Sequence, residues 1–175
     1  MTRLSREILL PHLTAHVLDR GLGGASLRPL AKAAGTSDRM LIYHFGSKDA
    51  LMAEILGAIA ADLSRRLDAA IPARAAVSLA ALADQVVAVA RSPDLSPHFR
   101  IWLDILAGGQ NAPMAGLILD GFLAWLTCRL PDDVADPEGA AAALLALIEG
   151  TLVLDAAGRG ALADAARRRL LGTPG

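Results

Sequence analysis

The chain has 175 residues, of which 54% are hydrophobic and 3% aromatic, and its formal net charge is −1. This length allows one large or two small domains, and the excess of Leu and Ala over β-branched residues favours helices over a sheet. A single cysteine, Cys128, excludes an intrachain disulfide framework and is expected to be a small buried side chain. The sequence has no uninterrupted apolar run of about 20 residues and no leader pattern, so we expect a cytoplasmic protein without membrane contact.

The charge is divided unevenly along the chain. Residues 1–50 carry seven Lys or Arg against four Asp or Glu, a net charge of +3, whereas residues 51–175 carry a net charge of −4. A basic excess favours contact with nucleic acid, but an excess this small predicts feeble nonspecific binding. Two copies acting together are therefore expected to be needed for useful affinity.

The first predicted helix ends at Gly21 and contains Pro11. Proline removes one helical hydrogen bond and clashes with the preceding turn. The sequence leaves two alternatives open: the helix is kinked near Glu7, or it begins late.

The next segment predicts two short helices joined by a tight turn. Ser26 is placed to cap the first of them, whose apolar face recurs at helical spacing in Leu27, Leu30, Ala31 and Ala34. Gly35 can take the positive φ that ends this helix, and Ser37 can cap a second helix over about Asp38 to His44.

The second helix of the pair is the one expected to meet DNA. Leu41 and Phe45 stand four residues apart and can pack on the first helix, which turns the polar residues outward. This arrangement is a helix-turn-helix, whose second helix enters the major groove. The candidate DNA contacts are Arg28, Ser37, Asp38, Arg39, Met40, Tyr43, His44 and Lys48.

Over about Arg6 to Leu56 the chain resembles the TetR family of transcriptional regulators. The resemblance rests on a combination of residues: Ile8-Leu9 or Leu9-Leu10, Gly21, Ser26-Leu27, Leu30-Ala31, Ala34-Gly35, Ser37, Leu41, His44-Phe45 and Ser47-Lys48-Asp49-x-Leu51. The chain departs from the family at Arg39, where relatives have a small residue or Pro, and at Met40, where they have Thr. The family's tyrosine stands at the position of Ile42, so its phosphate contact is not carried over, and Tyr43 is expected to do a similar job.

A long helix is predicted from Lys48 to Ala70, because Ser47 can cap it and apolar residues recur every four positions. Further helices are expected over 74–91, 97–107, 113–129, 137–157 and 161–171. The predicted fold is all-α, with an N-terminal three-helix DNA-binding domain (residues 1–47) and a C-terminal helical ligand-binding and dimerisation domain (residues 48–175). The helix over 48–70 would connect the two.

The last two predicted helices carry more small and apolar residues than a single core of this size can cover. The resemblance implies a four-helix bundle formed with the same helices of a second copy, and a homodimer suits a palindromic operator. The alternative is that these helices only complete the core of one copy. The candidate dimerisation residues are Leu145, Leu152 and Leu162.

Four of the few aromatic residues lie in two middle helices, which in TetR relatives often wall an effector cavity. Apolar pockets with a few polar groups are typical of small-molecule sites, although Phe and Trp at helical spacing are also typical of an ordinary core. The candidate ligand-binding residues are Phe99, Arg100, Trp102, Asp104, Phe122, Trp125 and Glu149. The expected ligand is an unidentified small-molecule effector.

The sequence therefore predicts a ligand-responsive DNA-binding regulator, a repressor that a small molecule releases from its operator. The alternatives are a helical protein-interaction adaptor and a DNA-binding protein without an effector. Catalytic motifs are absent, so an enzyme is not expected. His12 and His16 stand four residues apart but lack a third ligand, and neither a metal nor a cofactor is expected.

Overall fold

The computed structural model describes residues 5–73, 76–108 and 112–172, and within these ranges every regular element is helical. The elements in chain order are α1 (Arg6–Arg20), a short 3-10 turn (Leu22–Gly24), α2 (Leu27–Ala33), α3 (Asp38–Phe45), α4 (Lys48–Ala70), α5 (Leu79–Ala90), α6 (Ser96–Ala107), α7 (Ala112–Thr127), α8 (Pro137–Ala156) and α9 (Gly160–Leu171). The predicted all-α class is confirmed.

Pro11 lies inside α1, which nevertheless begins at Arg6 and continues to Arg20. The helix therefore includes Pro11 and does not begin after it. The carbonyl group that Pro11 cannot bond belongs to Glu7, an exposed residue at which water can satisfy it.

Two boundaries in the C-terminal half differ from the sequence prediction. α5 begins at Leu79, because the Ser78 hydroxyl accepts a hydrogen bond from the Ala81 amide at 3.1 Å and caps the helix there. The predicted first residue of that helix, Arg74, lies outside the described residues. α7 ends at Thr127, and Cys128 just beyond it is exposed, so the prediction of a buried cysteine is wrong.

The buried apolar side chains form two clusters. The first joins α1, α2, α3 and the beginning of α4, and it also takes in Ile101, Trp102 and Ile105 of α6. The second joins the end of α4 with α5, α7, α8 and Phe99 of α6. Because α6 contributes to both clusters, it packs against helices on each side of residue 47. The division into two domains at that residue stays a prediction.

α8 is the one helix among the described residues that is long and apolar enough to cross a membrane by length and composition. Core helices of water-soluble proteins pass the same test, and α8 carries Glu149 near its middle and packs against α5, α7 and α9. Only 28% of its most apolar window is buried in one copy of the chain, so much of its apolar surface is uncovered.

Candidate DNA-binding surface and ligand cavity

The turn between α2 and α3 has the local geometry that the sequence predicts. Gly35 adopts a φ of +63°, a conformation that costs other residues steric strain. The Ser37 hydroxyl accepts a hydrogen bond from the Met40 amide at 3.3 Å and caps α3. Leu41 and Phe45 are buried against the neighbouring helices, which leaves the opposite side of α3 at the surface.

Most of the candidate DNA contacts lie at the surface around this turn. Tyr43 is 75% exposed, Met40 is half-buried, and the other exposed members of the set are Arg28, Ser37, Asp38, Arg39 and Lys48. His44 differs from them, because it is half-buried and its Nε2 atom is buried without a hydrogen-bond partner among the described residues. Its imidazole packs edge-on against the Tyr43 ring, with the ring centres 5.2 Å apart.

Arg6 holds the end of α3 in place, and sequence reasoning did not single it out. Its Nε atom donates to the His44 carbonyl group, and its Nη1 atom donates to Glu54 on α4 at 3.0 Å. The guanidinium also lies over the Phe45 ring, 5.6 Å from its centre. The partners stand 38 to 48 residues away in sequence, so no local pattern could have indicated this role.

A cavity of about 370 Å³ lies between α4, α6, α7 and α8. This volume falls within the range of small-molecule sites, about 300–1,000 Å³. Its walls are mainly aliphatic and include Leu56, Ile59, Leu63 and Leu67 of α4, Ile101 and Ile105 of α6, and Met114, Leu117, Ile118 and Leu119 of α7.

Five of the seven candidate ligand-binding residues lie around this cavity: Phe99, Trp102, Phe122, Trp125 and Glu149. Phe122 and Trp125 stack on each other with ring centres 5.4 Å apart. The Trp125 indole donates to Asp68 at 2.9 Å, and the Arg129 guanidinium lies 3.9 Å from the centre of its ring. The side chain of Trp125 is thus held in place by Asp68 of α4 and by Arg129, which follows α7.

Glu149 is the charged group of the cavity wall. Its Oε2 atom accepts a hydrogen bond from the Trp102 indole nitrogen at 2.8 Å. Burial raises the pKa of the Glu149 carboxyl, and the hydrogen bond from Trp102, which lowers the pKa, does not offset this. The cavity therefore holds a carboxylate whose charged form is poorly solvated.

His98 also lines the cavity, although sequence reasoning did not propose it as a ligand contact. It is 4% exposed, its Nε2 atom lies 3.1 Å from Asp62 Oδ2, and its buried Nδ1 atom has no partner among the described residues. Burial raises the pKa of Asp62, but hydrogen bonds from Arg66 and His98 outweigh this effect and hold it below its ordinary value.

Arg100 and Asp104 do not line the cavity, contrary to the expectation that they contact a ligand. Both point to the end of α1 instead: Arg100 donates to the carbonyl groups of Leu18 and Asp19, and Asp104 accepts from the Leu22 amide at 3.0 Å. On a helix, residues two apart face different directions, so Arg100 and Asp104 turn away from the side that carries Trp102.

The candidate dimerisation residues are buried to different degrees. Leu152 is 6% exposed and belongs to the core of the single chain, Leu145 is half-buried against that core, and Leu162 on α9 is 58% exposed. Near Leu162 lies a shallow groove between α8 and α9, lined by Ala143, Ala146, Leu147, Gly150, Thr151, Leu154, Ala163, Ala166 and Leu170.

An exposed, capped helix-turn-helix followed by a helical region with a cavity is the arrangement expected of a DNA-binding regulator. Residues 16–55, from within α1 to within α4, match the model of the bacterial regulatory proteins of the TetR family. The helix-turn-helix segment is therefore similar to the N-terminal, DNA-binding part of this family.

Solved structures share the fold over nearly the whole chain. A transcriptional regulator from Rhodococcus sp. Rha1 is 26% identical, with 97% of this chain and 95% of that chain aligned and a TM-score of 0.72. The multidrug binding protein EbrR, complexed with imidazole, is 22% identical over 97% and 90% of the two chains, with a TM-score of 0.65. Salmonella enterica GusR is 24% identical over 95% of each chain, with a TM-score of 0.61. No match was found among curated proteins.

Proposed function

We propose that the protein is a homodimeric repressor that binds a palindromic operator through α3 and leaves it when a small molecule fills the cavity. The observation that carries this proposal is the position of α6. Trp102 on one side of α6 lines the cavity, whereas Arg100 and Asp104 on another side are bonded to the end of α1 and the turn after it. A ligand that moves α6 therefore acts directly on the DNA-binding helices.

Direct contacts with DNA are proposed for the exposed residues around the turn. Arg39 and Arg28 would read bases, since Arg can bind guanine through two hydrogen bonds, while Lys48 and Tyr43 would bind phosphates. The two copies of α3 in a dimer would enter successive major grooves about 34–36 Å apart. The net charge of +3 over residues 1–50 is modest, which supports binding by two copies together.

The dimer is proposed to form through the uncovered faces of α8 and α9. Leu162 and the groove lined by Ala143, Ala146 and Gly150 lie at this surface, whereas Leu152 does not. A charge at Leu162 should therefore break the dimer and leave the chain folded, which sedimentation with circular dichroism would detect. If the Leu162→Asp variant remains a dimer, the interface does not include Leu162 and lies elsewhere.

Release of DNA requires the ligand to bind more tightly to the state that has lost the operator. α4 and α6 both line the cavity and both contact α1, so they are the helices whose shift would change the distance between the two α3 helices. The fold shared with EbrR, a protein named for multidrug binding, supports a small molecule as the effector.

The test uses an operator selected from a randomised DNA pool, followed by anisotropy titrations with phenylbutylamine and its neutral counterpart phenylbutanol. We expect at least one of them to weaken operator binding by a factor of about 5 to 150, the usual range of such coupling. If calorimetry shows that either compound fills the cavity and neither changes operator affinity, the protein is a DNA-binding protein without an effector response at this site.

Asp104 offers a matched pair of variants for the same test. Asp104→Ala removes the acceptor for the Leu22 amide, whereas the Asn side chain of Asp104→Asn still offers an oxygen to it. We expect Asp104→Ala to bind operator and ligand separately but to lose most of the coupling, and Asp104→Asn to keep it. Equal coupling in both variants would exclude this contact as the route.

A further inference from the structure

The polar groups of the cavity share one chemical property. Glu149, His98 and Ser64 are the residues with a polar side chain, other than the two tryptophans, among the described residues that line it, and none of these lining residues is Lys or Arg. A cavity wall of this composition has no positive charge to neutralise an acidic ligand. It does hold one carboxylate.

The N–H donors at the cavity are already engaged. The Trp102 indole donates to Glu149, and the Trp125 indole donates to Asp68. The Nε2 atom of His98 lies 3.1 Å from a carboxylate oxygen of Asp62, which can only accept, so this nitrogen carries the hydrogen. In the neutral imidazole the other nitrogen, the buried and unpartnered Nδ1, is then an acceptor.

Arg100 and Arg129 do not add a free positive charge to the cavity wall. Arg100 donates to backbone carbonyl groups of α1, and Arg129 donates to the Ile71 carbonyl group at 2.7 Å and to Asp68 at 2.7 Å. Both guanidinium groups thus have their own acceptors. Among the described residues Glu149 accepts from a single donor, the Trp102 indole, although a carboxylate can accept several hydrogen bonds.

We infer that the cavity takes a lipophilic organic cation, an amine whose ammonium group pairs with Glu149 while its apolar body lies among the aliphatic and aromatic walls. The inference rests on the proposed function only in treating this cavity as the effector site. An ammonium group supplies donors to the Glu149 carboxylate, and it replaces the solvation that Glu149 has lost. A carboxylic acid would instead place a second negative charge beside Glu149.

Burial and pKa agree with this assignment. Burial raises the pKa of Glu149, because it disfavours the charged form of the carboxyl. A charge-assisted hydrogen bond inside an apolar cavity is stronger than the same contact at the surface, because water screens it less. The ligand is therefore expected to be selected by its charge as well as by its size.

The experiment compares three probes with the same apolar body on the wild-type protein: phenylbutylamine, phenylbutanol and phenylbutyrate. Calorimetry measures the affinity of each, and quenching of tryptophan fluorescence reports binding near Trp102 and Trp125. We expect the amine to bind at least about tenfold more tightly than the alcohol, a difference of about 1.4 kcal/mol, and the acid to bind most weakly. Equal or tighter binding of the acid overturns the inference, as does a lack of binding by all three.

Glu149→Gln supplies the matched variant, because Gln keeps the shape of the side chain and an oxygen for the Trp102 indole while removing the charge. It should weaken binding of the amine by at least about tenfold and leave the affinity for the alcohol within about twofold. An unchanged affinity for the amine contradicts the inference. The comparison of the three probes on the wild-type protein does not depend on this variant.

The outcomes separate this inference from the proposed function. If the amine binds as expected and the operator is not released, the inference stands and the repressor mechanism fails. If phenylbutanol releases the operator and the amine binds no better than the alcohol, the repressor mechanism stands and the inference fails.

Discussion

α3 and α6 are both rich in polar side chains, and they use them in opposite ways. On α3 the side chains of Asp38, Arg39 and Tyr43 are exposed to solvent. On α6 the polar side chains are bonded to other parts of the chain: His98 to α4, Trp102 to α8, and Asp104 to the turn after α1. An exposed polar face is available to an external partner, whereas the polar groups of α6 tie three regions of the protein together.

The difference separates two kinds of functional residue. An exposed residue of α3 can be changed with little effect on folding, because its environment is mostly water. A buried residue of α6 such as Trp102 belongs to the core and lines the cavity at once, so its replacement should affect both stability and the proposed ligand binding.

The largest effect is expected for Trp102, which is 7% exposed, belongs to the N-terminal core and bonds to Glu149. Trp102→Ala should lower the free energy of unfolding by about 3–5 kcal/mol, the usual cost of deleting a buried aromatic side chain. The matched change on α3, Tyr43→Ala, removes a side chain that is 75% exposed and should stay within about 0.5 kcal/mol. Chemical denaturation measures both, and similar costs for the two variants would remove the distinction.

Arg39 should show the reverse pattern, with little effect on stability and a clear effect on DNA recognition. Arg39→Ala should cost about 1–3 kcal/mol of discrimination at one base position, because a bidentate contact to guanine is lost. Lys48→Ala is the control and should weaken binding to all sequences about equally. Selection from a randomised operator pool decides the matter: uniform weakening by Arg39→Ala would show that Arg39 does not read a base.

Helix capping gives a smaller contrast between the same two helices. α3 begins at Ser37, whose hydroxyl caps it, whereas α6 begins without a side-chain cap and has Pro97 in its first turn. Ser37→Ala should therefore cost about 1 kcal/mol, and Ser96→Ala in α6 only a few tenths. Thermal unfolding without DNA compares the two, and an equal loss would mean that the 3.3 Å bond of Ser37 contributes nothing.

The smallest effect concerns the pH dependence of stability. The pKa of Glu149 is raised in the folded state above its ordinary value of 4.5, so the folded protein holds this proton more tightly than the unfolded chain. The stability that this proton contributes is complete below about pH 4.5 and is lost as the pH rises through the folded pKa. Glu149→Gln should thus melt at a higher temperature than the wild type near neutral pH, and the difference should vanish in acid. A constant difference across this range would contradict the raised pKa.

Much of the helix-turn-helix is predictable from sequence because its determinants are local. Gly35 ends one helix, Ser37 and Ser47 cap the next two at 3.3 and 3.0 Å, and Leu41 and Phe45 are buried as their spacing predicts. The turn and the two caps depend on residues within about one helical turn, and Leu41 and Phe45 pack against helices that are adjacent in sequence. The family match over residues 16–55 covers this same region.

The cavity and the uncovered face of α8 were decided by tertiary structure. Periodicity places Arg100 and Asp104 on a different face of α6 from Trp102, but it does not show which of the two faces meets a cavity. α8 is apolar on nearly all sides, so its pattern did not distinguish the buried Leu152 from an interface residue. Burial depends on helices far apart in sequence, and only their packing determines whether an apolar side chain meets the core, a cavity or another molecule.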